Sequence, residues 1–560
     1  MHFTNFPLGH AGRVTEDEGL EFQRYEHNQL DRYPSAKGGV STRAAFIFAA
    51  IGSAVGLGNI WRFPYVAYDS GGGAFLIPYL VALLTAGIPL LFLDFAIGHR
   101  FRGSAPKSMR RIKPWAEPIG WIQVGIAFFI TVYYAVIIAW SFIYAWKSIR
   151  KSWGPNAETH FMKDFLQADT ESVFSLDFVP SISIVLLIVW VLVIGILAAG
   201  VDKGIGKVSV IFIPLLTVLF VAVVIYSLTL DGAAQGLDAF FTPDWSALSD
   251  SSVWIAAYGQ IFFSLSVAFG IMLTYASYLK PRTNLTGSGL VTAFANSSFE
   301  VLAGIGVFAT LGFMATQSGQ AVDEVATSGI GLAFIAFPTV ISEMPNFIGS
   351  VFGLLFFLSL AIAGVTSLMS LLEVVVSAVK DKLNLGRVQA TLTVGGSMAV
   401  ISLLAFPTTS GLVTLDIVDK FTNNVGIVLV ALLTIIAIDW ILRRTNEFAM
   451  HLNAVSSFKV GTMWQIFVGN ITPVILAVIL FQELIGLFQE NYEGYSDTQI
   501  DIFGWGVIGV ILIGALIMAI LPWRGQHRLD GPPGSDFGVT PDFKRTSHLP
   551  RKHTPENQEV

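Results

Sequence analysis

The chain has 560 residues, of which 53% are hydrophobic and 13% are charged, and its formal net charge is −6. Soluble domains carry about 25% charged residues, so this composition excludes an ordinary soluble protein and indicates an integral membrane protein. Because the sequence contains no cysteine, a disulfide framework, a thiolate metal site and a cysteine nucleophile are excluded as well.

Twelve apolar stretches follow one another along the chain, and each is long enough to cross a hydrocarbon core of ~30 Å. Because only helices satisfy their own backbone groups within lipid, we predict an all-α membrane protein with twelve transmembrane helices. The predicted helices lie near 42–68, 74–98, 118–147, 180–199, 205–230, 252–279, 289–316, 347–380, 389–406, 413–442, 462–488 and 501–522. Residues 1–40 and 523–560 are predicted to be tails, and the composition of the second is typical of disorder.

The charges of the loops predict an orientation. Six lysines and arginines lie between residues 100 and 113, whereas the segments 231–250, 317–346 and 489–500 contain acids and no basic residue. Basic loops generally face the cytoplasm. We therefore expect a multi-pass protein of the cell membrane with both tails in the cytoplasm.

The first and sixth predicted helices are interrupted in a similar way. The first contains AVGLGN at residues 54–59, and the sixth contains Ser264, Ser266 and Gly270 in its middle. A pair of interrupted helices in corresponding positions of two halves is typical of a transporter with inverted repeats and a binding site at the membrane midplane. The alternative is that the glycines only let helices pack closely, as small residues often do in membranes.

Longer motifs surround both interruptions. The segment GSAVGLGNIWRFPYVAYDSGGGAFLIPYL covers the first two helices, GQIFFSLSVAFG and LTYASY lie in the sixth, and AGVTSL lies in the eighth. These motifs resemble the neurotransmitter:sodium symporters, the family of LeuT-like transporters, in order from about Lys37 to the last helix. The resemblance implies the LeuT fold, with a 5+5 inverted repeat over 41–230 and 251–442 and two further helices within 460–522.

The same resemblance implies a function. It implies a secondary transporter and not an enzyme, which couples the uptake of a neutral, aliphatic amino acid to Na⁺ entry by alternating access and without chloride. The partners are then an amino acid and the lipid bilayer, with no nucleic acid, while H⁺ counter-transport and the oligomeric state stay open. The competing classes are a membrane enzyme, for which the sequence offers no Cys/His/carboxylate cluster, and a sensor that binds an amino acid and transports nothing.

The resemblance assigns oxygen ligands for two Na⁺ ions, and backbone carbonyls freed by a helix break suit such a hard cation. One ion would be bound by the Ala54 carbonyl, the side chains of Asn59, Ser264 and Asn296, and the carboxylate of the substrate. The second would be bound by the carbonyls of Gly52, Val55 and Ala363 and the hydroxyls of Thr366 and Ser367. The alternative for these two hydroxyls is a hydrogen bond to their own helix.

The resemblance also places the substrate at the two breaks. The N–H groups of Leu57 and Gly58 and the Tyr134 hydroxyl would bind its α-carboxylate, as a helix N-terminus does. Its α-amino group would meet the carbonyls of Ala54, Phe263 and Ser264 and the Ser266 hydroxyl. Its side chain would meet Ile130, Phe269, Leu368 and Leu371, whose apolar surface disfavours charged substrates.

One position of the resemblance bears on the substrate class. Monoamine-transporting members of the family have an aspartate where this chain has Gly56. That aspartate replaces the carboxylate that monoamines lack. Glycine at this position therefore implies a substrate with its own carboxylate, an amino acid.

Charged residues at the two ends of the pathway resemble the gates of the family. Arg62 would pair with Asp419 at the outer end, where Phe263 would form an apolar lid. Lys37 would pair with Asp381 at the inner end. Arginine is more usual at the inner position, and lysine lacks its bidentate fork. The alternative for Lys37 and Asp381 is a solvated surface.

Two carboxylates within the predicted helices have open roles, because ionisable residues inside a membrane are rare and often functional. Asp94 and Glu373 could each brace neighbouring backbone instead. Glu373 is expected to meet Tyr278 on the cytoplasmic part of the pathway.

A third carboxylate, Glu300, lies one turn after Asn296, so both side chains are on the same helix face. Chloride-dependent members of the family have a small hydroxyl residue at this position. A fixed carboxylate could supply the negative charge that chloride supplies in them. The alternative is a brace that only hydrogen-bonds Gln260, Tyr79 or Asn296.

Overall fold

A computed structural model describes residues 42–322 and 329–524 of the chain. Within these ranges the regular structure is helical, and β-pairing is limited to isolated bridges between Gly72 and Pro243 and between Phe178 and Thr408. Most of the two predicted tails lies outside the described residues. The all-α prediction is confirmed for the described part of the chain.

Each predicted apolar stretch contains one helix or the two halves of a broken helix, and shorter helices lie in the loops between them. Two short helical segments are Ala157–Thr159, which continues into His160–Phe165, and Trp245–Ser249. The other helices are, in chain order, α1 (Arg43–Ala54), α2 (Leu57–Asp69), α3 (Gly73–Phe101), α4 (Ala105–Ile112), α5 (Pro114–Ser148), α6 (Pro180–Ala198), α7 (Val201–Ser227), α8 (Ala233–Phe241), α9 (Ser251–Ser264), α10 (Ile271–Ser277), α11 (Leu285–Ser318), α12 (Gly329–Glu343), α13 (Asn346–Leu383), α14 (Arg387–Ala405), α15 (Gly411–Ile441), α16 (Thr445–Val455), α17 (Thr462–Gly494) and α18 (Asp497–Ile520).

Ten of these helices are long and apolar enough to cross a membrane, counting only the described residues. The pair α1 and α2, bent by 53° at its break, brings the number to eleven. The pair α9 and α10 corresponds to the sixth predicted helix, but each half is shorter than the ~20 residues that a span needs. The total of twelve spans therefore stays a prediction.

The break between α1 and α2 is shorter than the six residues that the sequence suggested. It consists of Val55 and Gly56, and helical geometry resumes at Leu57. The Asn59 side chain accepts a hydrogen bond from the Gly56 N–H at 2.8 Å, which satisfies one of the backbone donors left free at a helix start. This cap begins α2 early and leaves a short, sharp bend.

The break between α9 and α10 is longer, because it contains backbone that cannot continue a helix. Ser266, Ala268 and Gly270 have φ values of 53°, 67° and 91°, in the left-handed region that only glycine adopts without strain. Asp94 of α3 accepts a hydrogen bond from the Ala268 N–H at 2.8 Å. The buried carboxylate therefore braces the unwound segment, which is the structural alternative expected for this residue.

Close packing positions the second half of this broken helix. At Gly98 of α3, an added Cβ would lie 2.0 Å from the Leu273 carbonyl oxygen of α10. Only glycine allows two backbones to approach so closely. Its absent side chain lets α10 lie directly against α3, next to the bond between Asp94 and Ala268.

Candidate functional site

A cavity of about 600 Å³ lies where the two helix breaks meet. Its wall includes both breaks together with residues of α5, α13 and α15, and it extends to Tyr492 and Tyr495 at the junction of α17 and α18. Most of the residues predicted to bind substrate line it: Ala54, Leu57, Gly58, Ile130, Tyr134, Phe263, Ser264, Ser266, Phe269 and Leu371. The structure thus brings together side chains that are up to about 300 residues apart in sequence.

Three of the residues predicted to bind the first Na⁺ form a hydrogen-bonded chain at one end of this cavity. Asn59 Nδ2 donates to Asn296 Oδ1 at 2.8 Å, and Asn296 Nδ2 donates to Ser264 Oγ at 3.1 Å. All three residues are at most 3% exposed. Helices α2, α9 and α11 therefore converge on a buried group of neutral oxygen donors, which is the chemistry that a hard cation prefers.

The residues predicted to bind the second Na⁺ join α13 to α1, but the two hydroxyls behave differently. Ser367 Oγ lies 3.2 Å from the Gly52 carbonyl and 3.3 Å from the Ser53 carbonyl, to which it donates. Thr366 Oγ1 instead donates within its own helix to the carbonyls of Ile362 and Ala363. The alternative of a hydrogen bond to the residue's own helix is therefore observed for Thr366 and not for Ser367.

The start of α2 is arranged around Tyr134 of α5. The Leu57 N–H donates to the Tyr134 hydroxyl at 3.2 Å. A Cβ added at Gly56 would lie 3.0 Å from Ser367 Oγ and 3.1 Å from the same Tyr134 hydroxyl. The space beside this helix start is therefore bounded by a backbone donor and hydroxyl groups, and it is small.

One predicted member of the side-chain pocket is misplaced. Leu368 is fully buried and does not line the cavity, whereas Ser367 and Leu371 of the same helix do. A step of one residue turns an α-helix by about 100°, so Leu368 lies to the side of the face that Ser367 and Leu371 share. The other three residues predicted for this pocket, Ile130, Phe269 and Leu371, line the cavity.

The predicted outer gate pair is not formed. The Arg62 guanidinium carbon lies 4.5 Å from the centroid of the Phe263 ring, a cation–π contact. Asp419 accepts hydrogen bonds from the Tyr133 hydroxyl at 2.5 Å and from Asn423 Nδ2 at 2.8 Å. Both charged residues line the cavity, but they form no ion pair within 4.0 Å, so this end of the cavity is not closed by a salt bridge.

The predicted inner gate is described only in part, because Lys37 lies outside the described residues. Asp381 accepts a hydrogen bond from the Ser104 N–H at 3.0 Å. Its second described partner is Lys107, whose Nζ lies 3.8 Å from the same carboxylate. Asp381 is thus bound to the turn that precedes α4.

Glu300 of α11 is completely buried near the group of Asn59, Asn296 and Ser264. It accepts hydrogen bonds from Gln260 Nε2 at 2.7 Å and from the Tyr79 hydroxyl. Among the described residues, no lysine or arginine forms an ion pair with it. The structure therefore places a buried acidic group beside the predicted first Na⁺ site.

Glu373 of α13 has the partner that the sequence suggested and a stronger one that it did not. The Tyr278 hydroxyl donates to it at 2.6 Å, and Arg387 of α14 forms an ion pair with it at 2.5 Å. Arg387 also donates to the Leu197 carbonyl. The ion pair joins residues 14 positions apart across the short turn between α13 and α14, a spacing that could have suggested it from the sequence.

Comparison with known proteins identifies relatives along almost the whole chain. The family model described as the sodium:neurotransmitter symporter family matches residues 37–159 and 154–525. An uncharacterized sodium-dependent transporter of Methanocaldococcus jannaschii is 40% identical over 480 residues, which cover 85% of this chain and 96% of that protein.

Two animal relatives have named substrates. The human sodium- and chloride-dependent neutral and basic amino acid transporter B(0+) is 30% identical over 553 residues, covering 87% of this chain and 85% of that protein. The sodium-dependent serotonin transporter of Drosophila melanogaster is 32% identical over 501 residues, which cover 83% of this chain and 79% of that protein. The chain is therefore similar to transporters of both amino acids and a monoamine.

Proposed function

Because the chain belongs to the sodium:neurotransmitter symporter family, we propose that it is a Na⁺-coupled symporter of neutral, aliphatic amino acids that works by alternating access and without chloride. Members of this family are multi-pass membrane proteins and secondary transporters, so the chain is not an enzyme. The observation that carries the proposal is the convergence of Asn59, Ser264 and Asn296 at the two helix breaks.

Two Na⁺ sites are proposed from the donor sets. The first comprises Asn59, Ser264, Asn296, the Ala54 carbonyl and the substrate carboxylate. The second comprises the carbonyls of Gly52, Val55 and Ala363 with Thr366 and Ser367, and the contact of Ser367 with the Gly52 carbonyl supports it. Thr366 would have to turn away from its own helix to bind the ion, and this rotation is part of the proposal.

An amino acid substrate is supported by the space and the polarity of the cavity. Gly56 leaves no carboxylate beside Tyr134 and the Leu57 N–H, so a substrate that binds there must supply its own. The wall formed by Ile130, Phe269 and Leu371 offers no charged partner for a substrate side chain, and an unpaired charge would be costly there. We therefore assign neutral aliphatic amino acids.

Chloride independence is proposed from Glu300. Two Na⁺ ions that enter with a zwitterion add positive charge to a buried site, where electrostatic energies far exceed those in water. The Glu300 carboxylate is buried nearby and forms no ion pair with any residue that the structure describes, so it can balance that charge. The human relative is named chloride-dependent, and this chain would differ from it in carrying its anion as a side chain.

The same carboxylate suggests H⁺ counter-transport. After Na⁺ has left, a buried carboxylate without a cation is costly and is relieved by taking up a proton. The empty carrier would then return with that proton and release it outside. Na⁺ import would thus be accompanied by H⁺ export through Glu300.

We propose the topology that the sequence suggested. Twelve spans would comprise two inverted repeats, 41–230 and 251–442, followed by the helices within 460–522, with 1–40 and 523–560 as cytoplasmic tails. The corresponding positions of the bent pair α1 and α2 and of the unwound segment between α9 and α10 support the repeat. The Lys and Arg residues between 100 and 113 support a cytoplasmic location for that end of the bundle.

Binding of the amino acid is expected to require Na⁺. If the substrate carboxylate is itself a ligand of one ion, the two affinities are coupled reciprocally. Thermal unfolding of the purified protein should be shifted upward by a neutral aliphatic amino acid in NaCl, and not in KCl at the same ionic strength. Equal shifts in both salts would contradict the first Na⁺ site.

A further inference from the structure

A second cavity, of about 260 Å³, lies at the opposite end of the same helices, among the basic residues. Its wall consists of the turn between α3 and α4, the start of α7, the end of α10, the last turns of α13 and the first residue of α14. Four of its lining residues are basic, namely Arg102, Lys107, Lys380 and Arg387, and Asp381 is the acidic one. One water needs only about 10–15 Å³ by the same measure, so a small solute fits.

Two of the four cations in this cavity are already used. Arg387 is paired with Glu373, and Arg102 donates to the carbonyls of Ser277 and Leu279. Their charges make the electrostatic potential of the cavity more positive, but their N–H groups already donate to these other partners.

The donors of the two lysines are available. Lys107 is 8% exposed, and its Nζ has one ionic neighbour, Asp381 at 3.8 Å, which is beyond hydrogen-bond distance. Burial lowers the pKa of Lys107, and the Asp381 carboxylate opposes that shift. The Lys380 side chain forms no hydrogen bond or ion pair with any residue that the structure describes.

A buried hydroxyl completes this set of donors. Ser104 lines the cavity, is 2% exposed, and its Oγ has no hydrogen-bond partner among the described residues. A buried hydroxyl without a partner is costly, and an oxygen anion would satisfy it together with the two ammonium groups. Within the described part of the chain, the cavity therefore contains one hydroxyl and two ammonium groups that have no hydrogen-bond acceptor.

The helices that line this cavity also line the central one. On α13, Ser367 lies in the central cavity and Ser377 in the second, which places them about 15 Å apart along the axis. On α10, likewise, Ile271 lines the central cavity and Ser277 lines the second. The two cavities therefore lie one after the other along the same two helices.

We propose that the second cavity is a binding site for the released amino acid, in which Lys107, Lys380 and Ser104 bind the carboxylate and Asp381 faces the ammonium group. This inference rests on the proposed function, since it makes the cavity an exit subsite of the same transporter. The acidic Asp381 within a basic wall matches a zwitterion. It disfavours a phosphate dianion, which shares the oxygen-anion chemistry but would meet a like charge.

The cavity is tested first without transport, by reductive methylation of the purified protein in K⁺, with modified lysines measured by mass spectrometry. Acetate and N,N-dimethylglycine, which lack a reactive amine, are expected to slow the labelling of Lys107 and Lys380. At about twice the dissociation constant the slowing is about threefold, because the free fraction falls as 1/(1 + [L]/Kd). Lys113, an exposed lysine near α4, is the control and should be labelled at an unchanged rate.

A variant separates the zwitterion from a simple anion. Asp381→Asn should reduce protection by N,N-dimethylglycine and leave protection by acetate at least as strong. Absence of protection in the parent protein, or stronger protection by inorganic phosphate than by N,N-dimethylglycine, would overturn the proposal.

Transport then tests the role in exit. Lys380→Gln should raise the KM for efflux from amino-acid-loaded vesicles about tenfold, the loss expected for one charge-assisted hydrogen bond. It should leave the KM for uptake unchanged, and Lys113→Gln should change neither. An unchanged efflux KM in Lys380→Gln would contradict the exit subsite. If the parent protein transports nothing, the proposed function fails, while the labelling result still decides whether the cavity binds a carboxylate.

Discussion

Replacement of Glu300 by serine is expected to make transport depend on chloride. The substitution removes the buried negative charge beside the first Na⁺ site and leaves space where the carboxylate lay against Gln260 and Tyr79. In chloride-free medium, uptake should fall roughly 100-fold, the usual effect of leaving a buried charge without its counter-charge. Chloride should restore much of the activity in this variant and leave the parent protein unaffected.

Two controls distinguish charge compensation from bracing. Glu300→Gln removes the charge but fills the space, so chloride should not rescue it. The second control uses vesicles that contain the parent protein. A more acidic exterior should lower their amino acid uptake, because the release of H⁺ to the outside would then be opposed. If Glu300 only braces Gln260 and Tyr79, Glu300→Ser will lose activity in every salt.

Replacement of Asn59 by alanine is expected to have the second largest effect. The side chain both caps α2 through the Gly56 N–H and donates to Asn296, so its loss removes a proposed ligand and loosens the break. Substrate affinity at limiting Na⁺ should fall about tenfold or more, as for one lost charge-assisted interaction. Raising the Na⁺ concentration should restore part of it, measured by radioligand binding over a Na⁺ series.

Asn423→Ala provides the matched control. This asparagine lines the same cavity but donates to Asp419. It is not part of the hydrogen-bonded chain of Asn59, Asn296 and Ser264. The Na⁺ dependence of binding should be unchanged in this variant. If high Na⁺ fails to relieve Asn59→Ala, the asparagine acts as a helix cap and not as a ligand.

Much of the fold could be predicted from the sequence because lipid leaves few options for a backbone. Continuous apolar runs had to be helices, and the last residues of α5 and α6 lie within one residue of their predicted positions. Glycines and polar residues within such runs indicated both breaks. The extent of the first break could not be predicted in the same way, because it depends on whether Asn59 turns back to cap Gly56.

The positions of the candidate site residues were predictable where the backbone or a short sequence motif determines them. They were less predictable where a side chain can contact several alternative partners. The convergence of Asn59, Ser264 and Asn296 follows from motifs. The exclusion of Leu368 from the cavity wall and the contact of Arg62 with Phe263 do not follow from them. Both depend on tertiary packing, in which a helix face or a long side chain has several positions of similar energy.

The most direct test of the account is net accumulation in proteoliposomes that contain the purified protein. With K⁺ inside and Na⁺ outside, labelled alanine, valine or leucine should reach a higher concentration inside than outside. The accumulation should disappear when an ionophore dissipates the Na⁺ gradient or when K⁺ replaces external Na⁺. Na⁺-dependent binding without accumulation above the external concentration would contradict the symporter and would instead fit a sensor that binds an amino acid and transports nothing.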